Sequence, residues 1–254
     1  MAVQDIAPPL VIGGTGGSGT RVVARIVRRA GWFIGTNLNP SEDSMEFPEM
    51  YDMWINRYLL RDIVPLSAEE ETLLLRGFCQ AIERHRSPMT DHTIPWGWKE
   101  PRSIYFLPFL DSHWTGVRFI HVVRDGRDMA FSTNQHQCRK HGPAVLRQEL
   151  RDAPQPVRSA KLWALVNSQA AQYGETQMPG RYLRVRYEDL CGKREPAIGA
   201  ILQFLDSRAP LDESMLQEVA SPGSIGRWRN SGDPLIVGQI NEVASEALHR
   251  FDYC

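Results

Sequence analysis

The chain has 254 residues and is 42% hydrophobic, enough to build a sizeable core within one domain spanning residues 1–254. Its 29 lysines and arginines face 30 aspartates and glutamates, which argues against a nucleic-acid binder working through bulk charge. An anionic ligand has to be met by locally placed cations. No apolar run reaches the roughly 18 residues of a membrane span, so none is expected. The first nine residues carry neither a basic stretch nor a long apolar one, so no secretory leader and a cytoplasmic protein are expected. Cys79, Cys138, Cys191 and Cys254 are scattered without a CxxC pair, and the histidines are scattered too. Reduced thiols and no metal site are expected.

Residues 9–12 form a short apolar run that reads as a buried strand, ending in Gly13, Gly14, Gly16, Gly17 and Gly19. Residues 22–30 read as a helix with Gly31 as its stop. The polar, proline-bounded residues 37–48 read as a loop, and the aromatic-rich residues 50–60 as a helix. Ser67 and Glu70 have capping-box spacing, so a helix starts there and runs to about residue 86. Residues 96–99 read as a short strand, 104–110 as part of a helix, and 118–123 (RFIHVV) as a second buried strand. A charged turn at 124–128 leads into a further helix, and the proline-punctuated residues 142–156 read as a flexible excursion. Residues 159–173 read as a helix, the alternating residues 182–187 as a strand, and 198–205 and 242–251 as helices. Strands alternating with helices predict an α/β fold on a parallel sheet.

The segment GGTGGSGTR, residues 13–21, lies between a strand and a helix. Backbone N–H groups at a helix start are unsatisfied and carry the positive end of the dipole. Glycines let several of them converge on one anion, and Ser18 and Thr20 add hydroxyls, so the loop is built as a phosphate cradle. It is neither of two familiar cradles. Gly14 to Gly19 has Walker A spacing, but Thr20 and Arg21 stand where Lys and Ser/Thr belong. Gly14, Gly16 and Gly19 have GxGxxG spacing, but a proline-bounded loop follows where a second strand is needed. Further along, Arg124 stands at the carboxyl end of the 118–123 strand, with Ser132 eight positions on. With a helix starting near Gly126, Ser132 can face back so that guanidinium and hydroxyl grip one phosphate. A solvated, salt-bridged turn is the plainer reading of RDGRD.

Taken in order, these motifs resemble the sulfotransferases that use 3′-phosphoadenosine 5′-phosphosulfate (PAPS), in their bacterial form. SGT at 18–20 resembles the family's 5′-phosphosulfate loop, here spanning Gly14, Thr15, Gly16, Gly17, Ser18, Gly19, Thr20 and Arg21. Arg124 to Ser132 resembles its 3′-phosphate site, and RYEDL at 186–190 a motif whose tyrosine, here Tyr187, contacts the adenine region. SIGRWR at 224–229 resembles the segment that closes over the 3′-phosphate, which implies a donor role for Arg227 and Arg229. WKEPR at 98–102 resembles the family's Lys-x-Pro element. The resemblance implies a three-layer α/β sandwich with a P-loop-like fold and a helical lid on the acceptor side. It also implies PAPS as donor, PAP as product, no metal, and direct in-line transfer to a hydroxyl or amine.

Many family members carry Lys or Arg immediately before Ser-Gly-Thr, where this chain has Gly17. Lys99 is the preferred replacement, since the chemistry needs preorganised positive charge at the leaving oxygen, and Arg21 is the other candidate. The loop at 39–47 follows the first helix, where acidic-base branches of the family place their carboxylate. Asp43 is the first candidate base and Glu46 the second, with Glu42, His92 and His136 behind them. Phe47, Tyr51, Trp54, Trp96 and Trp98 could line an acceptor pocket or belong to the core. A small molecule, glycoside, nucleoside or lipid-linked hydroxyl all fit as acceptor, with no nucleic-acid partner. Two other readings stand beside this one: a small-molecule kinase needing ATP and Mg²⁺, and a non-catalytic relative that kept the nucleotide cleft.

Overall fold

A computed structural model describes residues 7–220, 223–231 and 233–254; residues 1–6, part of the stretch read as lacking a leader, lie outside it. Four strands form a wholly parallel sheet: β1 (Leu10–Gly14), β2 (Gly97–Lys99), β3 (Arg118–Val123) and β4 (Tyr182–Arg186), in the spatial order β2-β1-β3-β4. The register pairs Ile12 with Lys99 and with Ile120, and Val123 with Arg186. It therefore brings the carboxyl ends of all four strands to one edge. Residues 15–19, Lys99, Arg124 and Tyr187 all lie at or just beyond that edge, where open α/β sheets bind their ligands.

Side chains alternate across the sheet. Val11 faces an aromatic-rich cluster with Phe47, Tyr51, Phe78, Trp98 and Phe106, while Leu10 and Ile12 face Val23, Ile26, Val27, Ile198 and Ile201 on the other side. The helices that bring those residues are α1 (Thr20–Arg29) and α9 (Arg194–Phe204) on one face, and α2 (Pro48–Leu59) and α3 (Ala68–Arg86) on the other. This is a three-layer α/β arrangement, covered on both faces as a parallel sheet requires. A third cluster joins Val123, Trp163, Ile240, Ala244 and Phe251, where α7 (Gln155–Gln177) packs on α12 (Pro234–Arg250). Ser67 makes the capping box: its Oγ accepts the Glu70 N–H at 3.1 Å and its own N–H donates to Glu70 Oε2 at 2.8 Å. Phe47 and Trp98 stack at 4.7 Å. Four of the five candidate pocket aromatics, Phe47, Tyr51, Trp96 and Trp98, are buried in the core. Trp54 alone lines a surface groove between α2 and α3.

Around residue 142 the structure departs from the expected excursion. The helix after the charged turn, α5 (Gly126–Ala130), is only five residues long. A separate helix, α6 (His136–Leu146), carries Pro143 within it, so the excursion shrinks to the residues between α6 and α7. Pro143 forgoes the N–H bond to the Arg139 carbonyl, yet the helix carries on past it, and the Arg147 N–H donates to the Pro143 carbonyl at 3.1 Å. Between Lys99 and α4 (Leu107–His113) the chain winds as a 3₁₀ helix over Pro101–Phe106, and α8 (Tyr187–Gly192), α10 (Glu213–Leu216) and α11 (Trp228–Ser231) complete the chain. No helix among the described residues is long and apolar enough to cross a membrane.

Candidate active site

The loop after β1 is shaped by two left-handed glycines. Gly17 has φ 93° and Gly19, the N-cap of α1, has φ 95°, a region that L side chains rarely adopt. Gly19 is fixed by contact as well, because a Cβ there would lie 2.1 Å from Tyr187 Cδ2. The Tyr187 ring thus rests directly on the glycine loop. Met129 is the nearest neighbour of a Cβ at Gly17, at 3.4 Å. A basic side chain at position 17 would therefore meet backbone strain more than crowding. The hydroxyls of Thr15 and Ser18 are buried and have no hydrogen-bond partner among the described residues, although buried hydroxyls normally find one.

At the end of β2, Lys99 is 1% exposed and donates to Asp43 Oδ1 at 2.5 Å and to the Ser41 carbonyl at 2.6 Å. Burial holds its ammonium below the ordinary lysine range, with Asp43 pulling the other way. An ammonium has three donors, and two are used here. The loop that delivers Asp43 is organised by Asn39. Its Oδ1 accepts the N–H groups of Ser41 (2.8 Å) and Asp43 (2.9 Å), and its Nδ2 donates to Asp43 Oδ2 at 2.8 Å. Ser44 stitches the loop to the strand: its N–H donates to the Lys99 carbonyl at 2.8 Å and its Oγ accepts the Lys99 N–H at 3.3 Å.

The other two carboxylates of the loop point elsewhere. Glu42 accepts from Arg25 (2.6 Å) and Arg28 (3.2 Å) on α1; burial pushes its carboxyl up, but the two guanidiniums outweigh that and hold it low. Glu46 faces His85 Nδ1 at 3.0 Å, while His85 Nε2 faces the Gly97 carbonyl at 2.9 Å. Burial raises the Glu46 carboxyl, and His85 leads the contacts that bring it below the ordinary range. Glu46 is thus a partner of a buried histidine, and of the three loop acids Asp43 alone faces Lys99.

Gly16, Gly17, Gly19, Thr20, Arg21, Asp43, Lys99, Arg124, Asn134 and Tyr187 line one cleft of about 290 Å³. A smaller hollow of about 30 Å³ shares Gly16 and Asn134 with it and adds Thr15 and Gln137. Arg21 lines the cleft and also reaches the Pro40 carbonyl at 3.3 Å. Arg124, 5% exposed, lies over the Tyr187 ring at 5.2 Å. It donates to the Gly17 carbonyl at 3.4 Å and to the carbonyl (2.6 Å) and hydroxyl (3.0 Å) of Ser224. Asp128 holds the 224–228 segment over that arginine by accepting from the N–H groups of Gly226 (2.8 Å) and Trp228 (3.3 Å). Arg227 donates to the Ser224 carbonyl at 3.2 Å, and Arg229 stacks on Trp228 at 4.8 Å.

Helix α5 ends at Ala130, and the turn carries on to Ser132, whose N–H donates to the Met129 carbonyl at 3.1 Å. The Ser132 hydroxyl accepts the Asn134 N–H at 3.2 Å, and Asn134 lines the cleft. Asn39, Ser41, Ser44, Asn134 and Ser224 were missed from the sequence. Asn39 had a readable signal, an Asx-type turn residue before Pro-Ser; the others depend on tertiary placement. Among the described residues no group of three or more His, Cys, Asp and Glu is placed to hold a metal.

The profile of the sulfotransferase family matches residues 8–210, and the chain belongs to that family. Its fold is that of solved members. The sulfotransferase domain from the curacin biosynthetic pathway superposes with a TM-score of 0.53 at 14% identity, covering 95% of this chain and 98% of that one. The sulfotransferase domain of the Synechococcus PCC 7002 olefin synthase gives 0.54 at 17% identity, covering 95% and 94%. Sulfotransferase STF9 from Mycobacterium avium gives 0.56 at 13%, covering 98% and 79%. No curated protein sequence matches significantly. The 224–229 segment lies beyond the stretch matched by the family profile.

Proposed function

We propose that the protein is a PAPS-dependent sulfotransferase that moves a sulfuryl group in line to a hydroxyl or amine of a small-molecule, glycoside, nucleoside or lipid-linked acceptor. The observation that carries this is the convergence, in one cleft, of the glycine loop, Arg124, Tyr187 and the Lys99–Asp43 pair. The residues fit the nucleotide. The unpartnered hydroxyls of Thr15 and Ser18 and the helix-start N–H groups suit the 5′-phosphosulfate. Arg124, with Arg227 and Arg229 nearby in sequence to its Ser224 partner, suits the 3′-phosphate, and Tyr187 presents a ring to the base. When bound, PAPS supplies a sulfuryl group activated by its mixed anhydride with phosphate.

The chain's own residues divide the remaining work. Asp43, oriented by Asn39, accepts the proton of the incoming hydroxyl or amine. Lys99 aims its remaining donor at charge developing on the departing oxygen, taking the place of the cation that Gly17 lacks. Burial of Lys99 makes that charge act through little water. Thermal shift with PAP in metal-free buffer tests the donor, with ATP–Mg²⁺ as control. A ligand at about 100 times its dissociation constant adds about 2.7 kcal/mol. Stabilisation by PAP alone, followed by labelled sulfate transfer from PAPS in an acceptor screen, is the expected outcome. Stabilisation by ATP–Mg²⁺ alone would point to a kinase.

A further inference from the structure

Glu188 has no part in the site as described, yet it directly follows Tyr187 and reaches the other side of the nucleotide cleft. Its Oε1 accepts the N–H of Asp125 at 3.0 Å, the amide that joins Asp125 to Arg124. Its Oε2 accepts the hydroxyl of Tyr253 at 2.8 Å. One carboxylate thus ties the peptide bearing Arg124 to the helix turn bearing Tyr187 and to residues 251–253 beyond α12. Tyr253 is 8% exposed and packs against Trp163 with ring centroids 6.2 Å apart. Arg186, the residue before Tyr187, lies over the Tyr253 ring at 4.6 Å and donates to the Asp252 carbonyl at 2.8 Å.

Arg127 closes the same circuit from the other side. It grips Asp125 with three side-chain bonds of 2.8–3.2 Å and donates to the Tyr253 carbonyl at 2.5 Å. It also lies over the ring of Trp228 at 4.3 Å, in the segment whose Ser224 meets Arg124. The turn after β3 is therefore held at its N–H by Glu188, at its carboxylate by Arg127, and both holders are held by Tyr253. We propose that Tyr253 is a positioning residue: through its hydroxyl on Glu188, with its backbone carbonyl bracing Arg127, it sets where Arg124 stands relative to Tyr187, and so sets affinity for the 3′-phosphate of the nucleotide. This rests on the donor assignment above. The physical basis is that a charged guanidinium binds phosphate well only when its orientation is fixed beforehand.

Tyr253→Phe keeps the ring and its packing and removes only the hydroxyl, leaving Glu188 Oε2 short of one donor. Calorimetry on the full chain would compare PAP with adenosine 5′-phosphosulfate, which lacks the 3′-phosphate. We expect PAP binding to weaken about 5- to 20-fold while adenosine 5′-phosphosulfate binding and kcat at saturating PAPS stay within about twofold. On an Arg124→Lys background, Tyr253→Phe should weaken PAP little further, because both changes act through one group. Unchanged PAP affinity, equal weakening of both nucleotides, or full additivity with Arg124→Lys would overturn the proposal. Failure of the wild-type protein to bind PAP would remove the donor assignment and this role with it. That failure shows before any variant is made, so it is distinct from a failure of Tyr253 alone.

Discussion

Lys99 Nζ stands 2.5 Å from Asp43 Oδ1, with the Ser41 carbonyl taking a second of its donors, so the proposed charge stabiliser and the proposed base form one hydrogen-bonded unit. Each holds the other in place, and Asp43 offsets part of what burial costs the Lys99 ammonium. The pair arises because β2 ends at Lys99 and Ser44 fastens the 39–47 loop to that same residue's backbone. Lys99→Met should lower kcat about 10²- to 10³-fold, and Asp43→Asn about 10²- to 10⁴-fold. The double variant should fall well short of the product, since the partners act together. Steady-state kinetics with PAPS and an identified acceptor, together with PAP affinity held within a few-fold, would check this.

Asn39 fixes Asp43 without touching Lys99. Asn39→Ala should lower kcat about tenfold or more by letting the carboxylate swing, while leaving PAP binding intact. A variant that loses PAP binding instead would show that the loop serves the nucleotide and not the acceptor.

Gly17 stands where the resemblance leads one to expect a cation, and its φ of 93° works against restoring one. Gly17→Lys forces an L residue into the left-handed region at roughly 1–2 kcal/mol. We expect a lower Tm and no rise in kcat, measured by calorimetry and turnover on the same preparation. A rate increase would mean that the loop relaxes and that Lys99 leaves charge uncompensated.

Gly19→Ala combines that strain with a Cβ placed inside the Tyr187 ring. Displacing the ring should cost about 1–3 kcal/mol of stability and weaken PAP more than tenfold, which thermal melts with and without PAP would resolve.

Glu46 sits below the ordinary carboxyl range beside His85. A group whose folded pKa is depressed adds stability above its unfolded pKa, about 4.3 for glutamate, and loses it as pH falls through the folded value. Tm should therefore drop as pH falls below about 4, and Glu46→Gln should flatten that drop while lowering Tm at neutral pH. An unchanged acid limb in Glu46→Gln would place the sensitivity elsewhere, with Glu42 the next carboxylate to replace.

Most of the framework was legible in the sequence because it is written locally. The capping box at Ser67, the apolar runs of β1 and β3, and Gly31 as a stop depend on neighbours within a few residues. The glycine loop was readable for the same reason, and so was Arg124 at its strand end. Where α5 ends is decided by packing, not by the spacing of RDGRD, so its five-residue length was not readable. Asp43 ranked ahead of Glu46 in the sequence, but only the fold puts His85, 39 positions away, beside Glu46 and Lys99 beside Asp43. Pro143 misled by suggesting a break where α6 continues.

The register of β1 has a consequence for how the protein comes together. This strand bonds on one side to residues beginning at Gly97 and on the other to residues beginning at Arg118, each far along the chain. Helices such as α3 can form from nearby residues, but the edge carrying the cleft exists only once those distant partners have docked. Refolding followed by helical circular dichroism should therefore run ahead of refolding followed by capture of nucleotide. A chain released from a ribosome short of β4 would hold the glycine loop yet have no Tyr187 to lay against it.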